Sequence, residues 1–356
     1  LSGIDAEAFP LPLEAFTGLD ASGVLTLQDA THKIDFSQLT LLSDRSVISY
    51  EGAVNLSERP SLDGYLTLSV PKLTPSLMPT VLSEQQKGIL NGSEINLTSQ
   101  MLGPIDQIDL KNASLSLVAP KFSTDFAGIV RLRQTPELEG KASYKSASID
   151  SLFALMDYKP SLTAQAMTNE IAIDFSSILN GPLTRLKADA IELALQSPYF
   201  KAGYQGQFIM TTSPQLEGAL RFQSNRFDTL LSALDIQTGL AKPLETAELN
   251  TKVKGTPQVL TMTALTVSAN DLLASGDLTL DQQGKTPLLS GKIALGEIDL
   301  DAYIPTSDPA TSTSWDDIIT MIENTSGFNL DLSLTAPEII LDARSYKNAD
   351  LDIKLI

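Results

Sequence analysis

The sequence holds few groups able to run a reaction. His32 is its only histidine and stands beside Lys33 at the start of an expected strand. A catalytic base there would need a positioned partner that the sequence does not supply, so a turn or solvent-exposed place is expected. Asp316 and Asp317 form a carboxylate pair, but they fall in the first turn of an expected helix capped by Thr313 or Ser314. Negative charge there meets the positive end of the helix dipole, which points to capping rather than acid–base work. Asp299 and Asp301 flank Leu300 without the further oxygen ligands a cation requires. Trp315 reads as an anchor of the same helix against a sheet. The absence of cysteine removes disulfides, thiol nucleophiles and thiolate-bound zinc. No glycine-rich phosphate loop and no G-x-S-x-G elbow occurs. Asn55, Asn91, Asn96, Asn112 and Asn324 open N-x-S/T sequons, which serine-rich strands produce by chance. These residues predict no enzyme, no cofactor and no metal centre.

The chemistry that remains is that of an apolar surface, and its elements are hairpins. Residues 276–295 alternate apolar and polar on both sides of a turn, with Leu278 and Leu280 before it and Leu289, Gly291, Ile293 and Leu295 after it. A Pro-x-Leu-x-Gly sequence occurs at Pro60/Leu62/Gly64, Pro136/Leu138/Gly140, Pro214/Leu216/Gly218 and Pro287/Leu289/Gly291. Each follows an earlier glycine, Gly52, Gly128, Gly206 or Gly276, and these start 76, 78 and 70 residues apart. An internal period of this kind sets the architecture. Folding each hairpin about its turn pairs Val54 with Leu62, Gly52 with Gly64 and Tyr50 with Leu66. The second hairpin pairs Val130/Leu138, Gly128/Gly140 and Phe126/Ala142, and the third Phe208/Leu216, Gly206/Gly218 and Tyr204/Leu220. The fourth is expected to pair Leu278/Leu289, Gly276/Gly291 and Ala274/Ile293. Side chains alternate along a strand, so all of these share one face.

Each hairpin therefore presents an apolar face crossed by a stripe without side chains. Two readings of that stripe stay open: paired glycines let the sheet curve while large neighbours cover the gap, or something lies close against the backbone, a connecting helix or an acyl chain. The side chains that flank the stripe and would line a trough are Val54, Leu66, Leu68, Val130, Leu132, Phe208, Met210, Leu220, Leu278, Leu280, Ile293 and Leu295.

The rest of the chain repeats an order of strands and one helical crossing. Helical spacing appears at Ile149, Leu152, Phe153 and Met156, and again at Phe227, Leu230, Leu231 and Leu234. Another short helix is expected after Pro10 and Pro12. Pro71, Pro75 and Pro79 oppose a regular helix before about residue 80. The expected fold is mainly β: an elongated, curved antiparallel sheet, groove- or taco-like, built from repeated four-strand-plus-helix units. The units run 1–83, 84–158, 159–236, 237–305 and an incomplete 306–356, with a polar linker at 305–312. About 20 strands spaced about 4.8 Å apart would extend about 100 Å.

The 356 residues carry a net charge of −18, with a sequence pI near 4.4. That balance opposes nucleic acid as a partner, since its backbone calls for lysine and arginine, and opposes purely electrostatic adhesion to anionic lipid. The acids stand mostly singly, in turns and at alternate strand positions, as on a solvated exterior. No run of about 18 apolar residues is present to cross a membrane as a helix. The chain begins at Leu1 and ends within the strand pattern of LDIKLI, and is read as a fragment of a longer chain.

The stretch SGDLTLDQQGKTPLLSGKIALGEIDLDAYIP at 275–305, its polar linker, and SWDDIITMIENTSGFNLDLSLTAPEIILDARSYKNADLDIKL resemble the C-terminal region of AsmA-family proteins. The match is tightest over 270–356, and the earlier hairpins look like the same unit repeated. The resemblance implies a periplasmic protein of a Gram-negative bacterium, held to the inner membrane by an N-terminal helix that this sequence lacks. It also implies a body like the repeated β-groove of TamB-like and bridge-like lipid transfer proteins. The partners it implies are phospholipids, bound through their acyl chains, and the inner and outer membranes or their proteins at the two ends. The expected function is conduction of phospholipid between the membranes in support of outer-membrane biogenesis. Two non-lipid alternatives stand beside it, a structural scaffold or assembly factor of the cell envelope and an extracellular β-repeat adhesin.

Overall fold

The computed structural model describes residues 18–28, 31–43, 46–79, 81–158, 169–233, 240–304 and 329–355. Strand takes 64% of the described residues and helix 10%, so the packing problem is that of a sheet. The chain divides into two compact units, Leu1–Ala190 and Ile191–Ile356.

In the first unit the chain runs back and forth through β1 (Gly18–Gln28), β2 (Thr31–Ser43), β3 (Ser46–Leu56), β4 (Ser61–Val70), β5 (Glu94–Pro104), β6 (Asp109–Val118), β7 (Phe122–Arg131), β8 (Glu137–Ser146) and β9 (Ala172–Pro182). Each strand pairs antiparallel with the one before it. β10 (Lys187–Gln196) spans the division between the units. The second unit continues with β11 (Lys201–Ile209), β12 (Gln215–Ser224), β13 (Ala247–Gly255), β14 (Val259–Ala269), β15 (Leu272–Asp281), β16 (Leu288–Leu295), β17 (Ile298–Asp299), β18 (Asn329–Leu341) and β19 (Arg344–Leu355). Among the described pairings of the second unit, β19 meets only β18. In both units, strands with register shifts gain an extra residue that bends and twists them locally.

Tight hairpins predict antiparallel neighbours, but β18 takes both β16 and β17 in parallel. β16 and β18 pair in parallel, Leu289 opposite Leu330 and Ile293 opposite Leu334. A parallel neighbour requires a crossover rather than a two-residue turn, and residues 296–328 supply the length.

Three described helices follow β4, β8 and β12: α1 (Glu84–Leu90), α2 (Asp150–Leu155) and α3 (Phe227–Ala233). Ser83 caps α1 through a reciprocal box, its Oγ accepting from the Gln86 amide while Gln86 Oε1 accepts from the Ser83 amide. Before α1 the prolines allow only a single 3-10 turn, Pro75–Leu77. The spacing that predicts a helix at 149–156 matches α2, with Ile149 and Met156 as its flanking caps. The helices expected after Pro10 and around Trp315, Asp316 and Asp317 lie outside the described residues, as do Leu234 and the linker.

The helices dock at strand ends. Val70, at the end of β4, is buried with Leu73, Leu77 and Met78, and Leu90 of α1 packs against this cluster. Tyr144, near the end of β8, stacks on Phe122 at 5.4 Å and shares a 2.7 Å hydrogen bond with Ser151 of α2. Phe222, near the end of β12, meets Phe227 of α3 edge-on at 6.1 Å. In all three hairpins the helix stands at the end away from the turn, and the middle of the strands belongs to the sheet's own face.

Candidate functional site

The registers of the first three hairpins match the ladder drawn from sequence. Val54 faces Leu62, Gly52 faces Gly64 and Tyr50 faces Leu66. Val130 faces Leu138 and Gly128 faces Gly140. Phe208 faces Leu216, Gly206 faces Gly218 and Tyr204 faces Leu220. The fourth hairpin corrects the expectation: Leu278 faces Gly291, Gly276 faces Ile293, Ala274 faces Leu295 and Leu280 faces Leu289. Pairing runs on to Asp281 and Leu288 before the turn, which slides the register by one alternation. A slip of two keeps every side chain on its own face, so the apolar character survives while the glycine pair does not.

The same face continues from hairpin to hairpin. In the first unit Leu68 faces Leu97, Leu97 faces Leu115, and Leu115 faces Phe126. In the second unit Phe222 faces Leu249 and Leu249 faces Val267; Leu260 faces Leu280, and Leu332 faces Ile353. No Asp, Glu, Lys or Arg stands on these positions. Charges take the alternate ones, where Arg131 pairs with Glu139 at 2.8 Å, Lys145 with Asp174 at 2.9 Å and Lys254 with Glu217 at 3.2 Å.

The glycine stripe is covered from within at two hairpins. The Tyr50 ring lies over Gly64, and its hydroxyl donates to the Ala53 carbonyl at 2.8 Å. Tyr204 lies over Gly206 and Gly218 and donates to the carbonyls of Gln207 and Glu217 at 2.9 and 3.0 Å. Burial pushes both phenols above their ordinary pKa. At these two places a large neighbour fills the gap, as one of the two readings of the stripe requires. At Gly128 and Gly140 a Cβ would meet the facing backbone, the Gly140 and Gly128 Cα atoms at 2.5 and 2.7 Å. Gly276 and Gly291 take φ values of 155° and 153° and crowd the backbone of Ile293 and Leu278.

The apolar residues flanking the stripe stay partly accessible. Val54, Leu66, Leu68, Val130, Phe208, Leu220, Leu278, Leu280 and Leu295 are half-buried, and only Ile293 of this set is buried. Leu132 and Met210 fall just past β7 and β11 and are 41% and 45% exposed, so they stand at the margin of the face rather than within it.

Hairpin spacing does not foresee the bulges. Asn112 in β6 and Ala264 in β14 take positive φ values of 51° and 50°. Ser99 Oγ donates to the Lys111 carbonyl at 3.1 Å, and Thr251 Oγ1 to the Thr263 carbonyl at 3.1 Å. The bulges lie opposite the first glycine of the following hairpin strand, where Ala113 faces Gly128 and Leu265 faces Gly276. A phase change in the alternation marks them. Apolar positions pass from Leu110 to Ala113, Leu115 and Leu117, and from Leu260 and Met262 to Leu265 and Val267.

No family model, curated protein or solved structure matches the chain. What the face does is argued from its own chemistry.

Proposed function

We propose that this chain is a periplasmic lipid carrier of the AsmA type, holding phospholipid acyl chains along the apolar face of its sheet and passing them between inner and outer membranes. The observation that carries this reading is an uncharged face, continuous from strand to strand within each unit, on which Leu66, Leu97, Leu115, Phe126, Leu249 and Leu280 remain half-buried. Extended apolar surface left accessible marks a place of interaction. Each methylene group withdrawn from water there contributes about 0.8 kcal/mol. Near-equivalent rungs give a lipid many similar sites instead of one deep trap. Helices recurring after β4, β8 and β12 fit a groove of repeated four-strand-plus-helix units, with headgroups left in water.

The tyrosines over Gly64 and Gly218 favour a second reading, a face filled by its own side chains in an envelope scaffold. Mass spectrometry of the gently purified chain separates the two. Co-purified phospholipid, with photocrosslinks from positions 66, 208 and 278 to lipid in cells, supports the carrier. Consistently lipid-free protein without crosslinks supports the scaffold.

A further inference from the structure

Two hairpins place a tyrosine in the same way. Tyr50 and Tyr204 each stand two residues before the first glycine of their hairpin, in Tyr50-Glu51-Gly52-Ala53 and Tyr204-Gln205-Gly206-Gln207. Each hydroxyl reaches past that glycine and donates to the carbonyl three residues on, Ala53 at 2.8 Å and Gln207 at 2.9 Å. The bond lays the ring along its own strand, against Gly64 in the first hairpin and against Gly206 and Gly218 in the third. Phe36 meets the Tyr50 ring edge-on at 6.5 Å.

The second hairpin holds phenylalanine at the same place, in Phe126-Ala127-Gly128-Ile129. Phe126 has no hydroxyl to donate to the Ile129 carbonyl. A Cβ added at Gly128 or Gly140 would meet the facing backbone before any side chain. The gap in the face is therefore filled by a ring where the hydroxyl is present and not where it is absent. A dip in an apolar floor touches a passing chain on its sides as well as beneath, and withdraws more of it from water. Filling the dip removes that extra hold.

Resting on the lipid-carrier reading, we propose that Tyr50 and Tyr204 regulate passage along the face by levelling its floor, so that acyl chains cross their hairpins without lodging. The hydroxyl sets each ring in place and the ring does the levelling. The second hairpin, with Phe126, lacks this device and releases a chain more slowly.

The test loads the full chain from vesicles of phosphatidylethanolamine carrying a pyrene-labelled acyl chain and follows release into unlabelled acceptor vesicles. Tyr204→Ala is expected to slow the slowest phase of release about fourfold, the scale of one further methylene group withdrawn from water. Mere damage to the fold would speed release instead. Tyr204→Phe keeps the ring and releases between the wild-type chain and Tyr204→Ala. Phe126→Tyr supplies the missing hydroxyl and speeds the slowest phase. Should Tyr204→Ala fail to fold, Phe126→Tyr, which adds a single oxygen, decides alone. Release unchanged or faster in Tyr204→Ala, or unchanged or slower in Phe126→Tyr, overturns the levelling role and leaves the carrier reading standing. A wild-type chain that takes up no labelled lipid overturns both.

Discussion

The ring of Tyr50 lies against Gly64 on the neighbouring strand, so close that a Cβ at Gly64 would stand 2.7 Å from the ring's Cζ and from its hydroxyl oxygen. The glycine is thus half of an aromatic–glycine pair that fills a gap in the face. Gly64→Ala is expected to destabilise the chain by about 1–3 kcal/mol, the scale of overpacking. Tyr50→Ala in the same chain relieves only part of this, because the Cβ would still meet the Glu51 carbonyl at 2.4 Å. A double-mutant cycle by urea unfolding measures the split; additive effects would mean that ring and glycine are not coupled.

Tyr204 holds its place with its hydroxyl as well as its ring. Tyr204→Phe keeps the ring and removes the donor to Gln207 and Glu217, at a cost of about 1 kcal/mol in urea unfolding. No change in the midpoint would show that water replaces the phenol at these carbonyls.

The β14 bulge asks an alanine to take a left-handed conformation, φ 50° at Ala264. Relief of that strain, about 1–2 kcal/mol, exceeds the entropic cost of a more flexible unfolded chain. Ala264→Gly is therefore expected to stabilise by about 0.5–1 kcal/mol. Asn112→Gly gains less, because asparagine tolerates this conformation. Thermal unfolding of the two variants checks the order.

Asp271 accepts a hydrogen bond from the Tyr303 hydroxyl and pairs with Lys242 at 3.1 Å. These partners, Tyr303 foremost, lower its pKa from 3.8 to about 2. A carboxylate depressed by folding adds stability that is complete above its ordinary value and is lost as pH falls through the folded one, here from about pH 4 to about pH 2. Tyr303→Phe should raise the Asp271 midpoint toward 3.8 in a carboxyl NMR titration. An unmoved midpoint would leave Lys242 as the dominant partner.

Leu132 and Met210 test the extent of the lipid path without threatening the fold, since both are more than 40% exposed. Leu132→Glu and Met210→Glu are expected to shift stability by no more than about 0.5 kcal/mol. If acyl chains reach the strand ends, each substitution lowers co-purified lipid. Unchanged lipid would confine the path to the half-buried middle of the strands.

Alternation alone determined which residues share a face. Val54, Leu66, Phe208 and Leu278 fall on the apolar side because backbone pleating has a period of two, whatever the partner strand. Short turns fixed the register of three hairpins for a similarly local reason. The fourth escaped, because a slide of two residues leaves the pattern of faces intact and only the pairing of Asp281 with Leu288 reveals it. Tertiary structure alone set Leu289 parallel to Leu330, a pairing across a long crossover. It also placed Tyr50 over Gly64 and put Asn112 and Ala264 in bulges. Those relationships depend on which strands and helices become neighbours, and a pattern along one chain segment carries no record of what packs across from it.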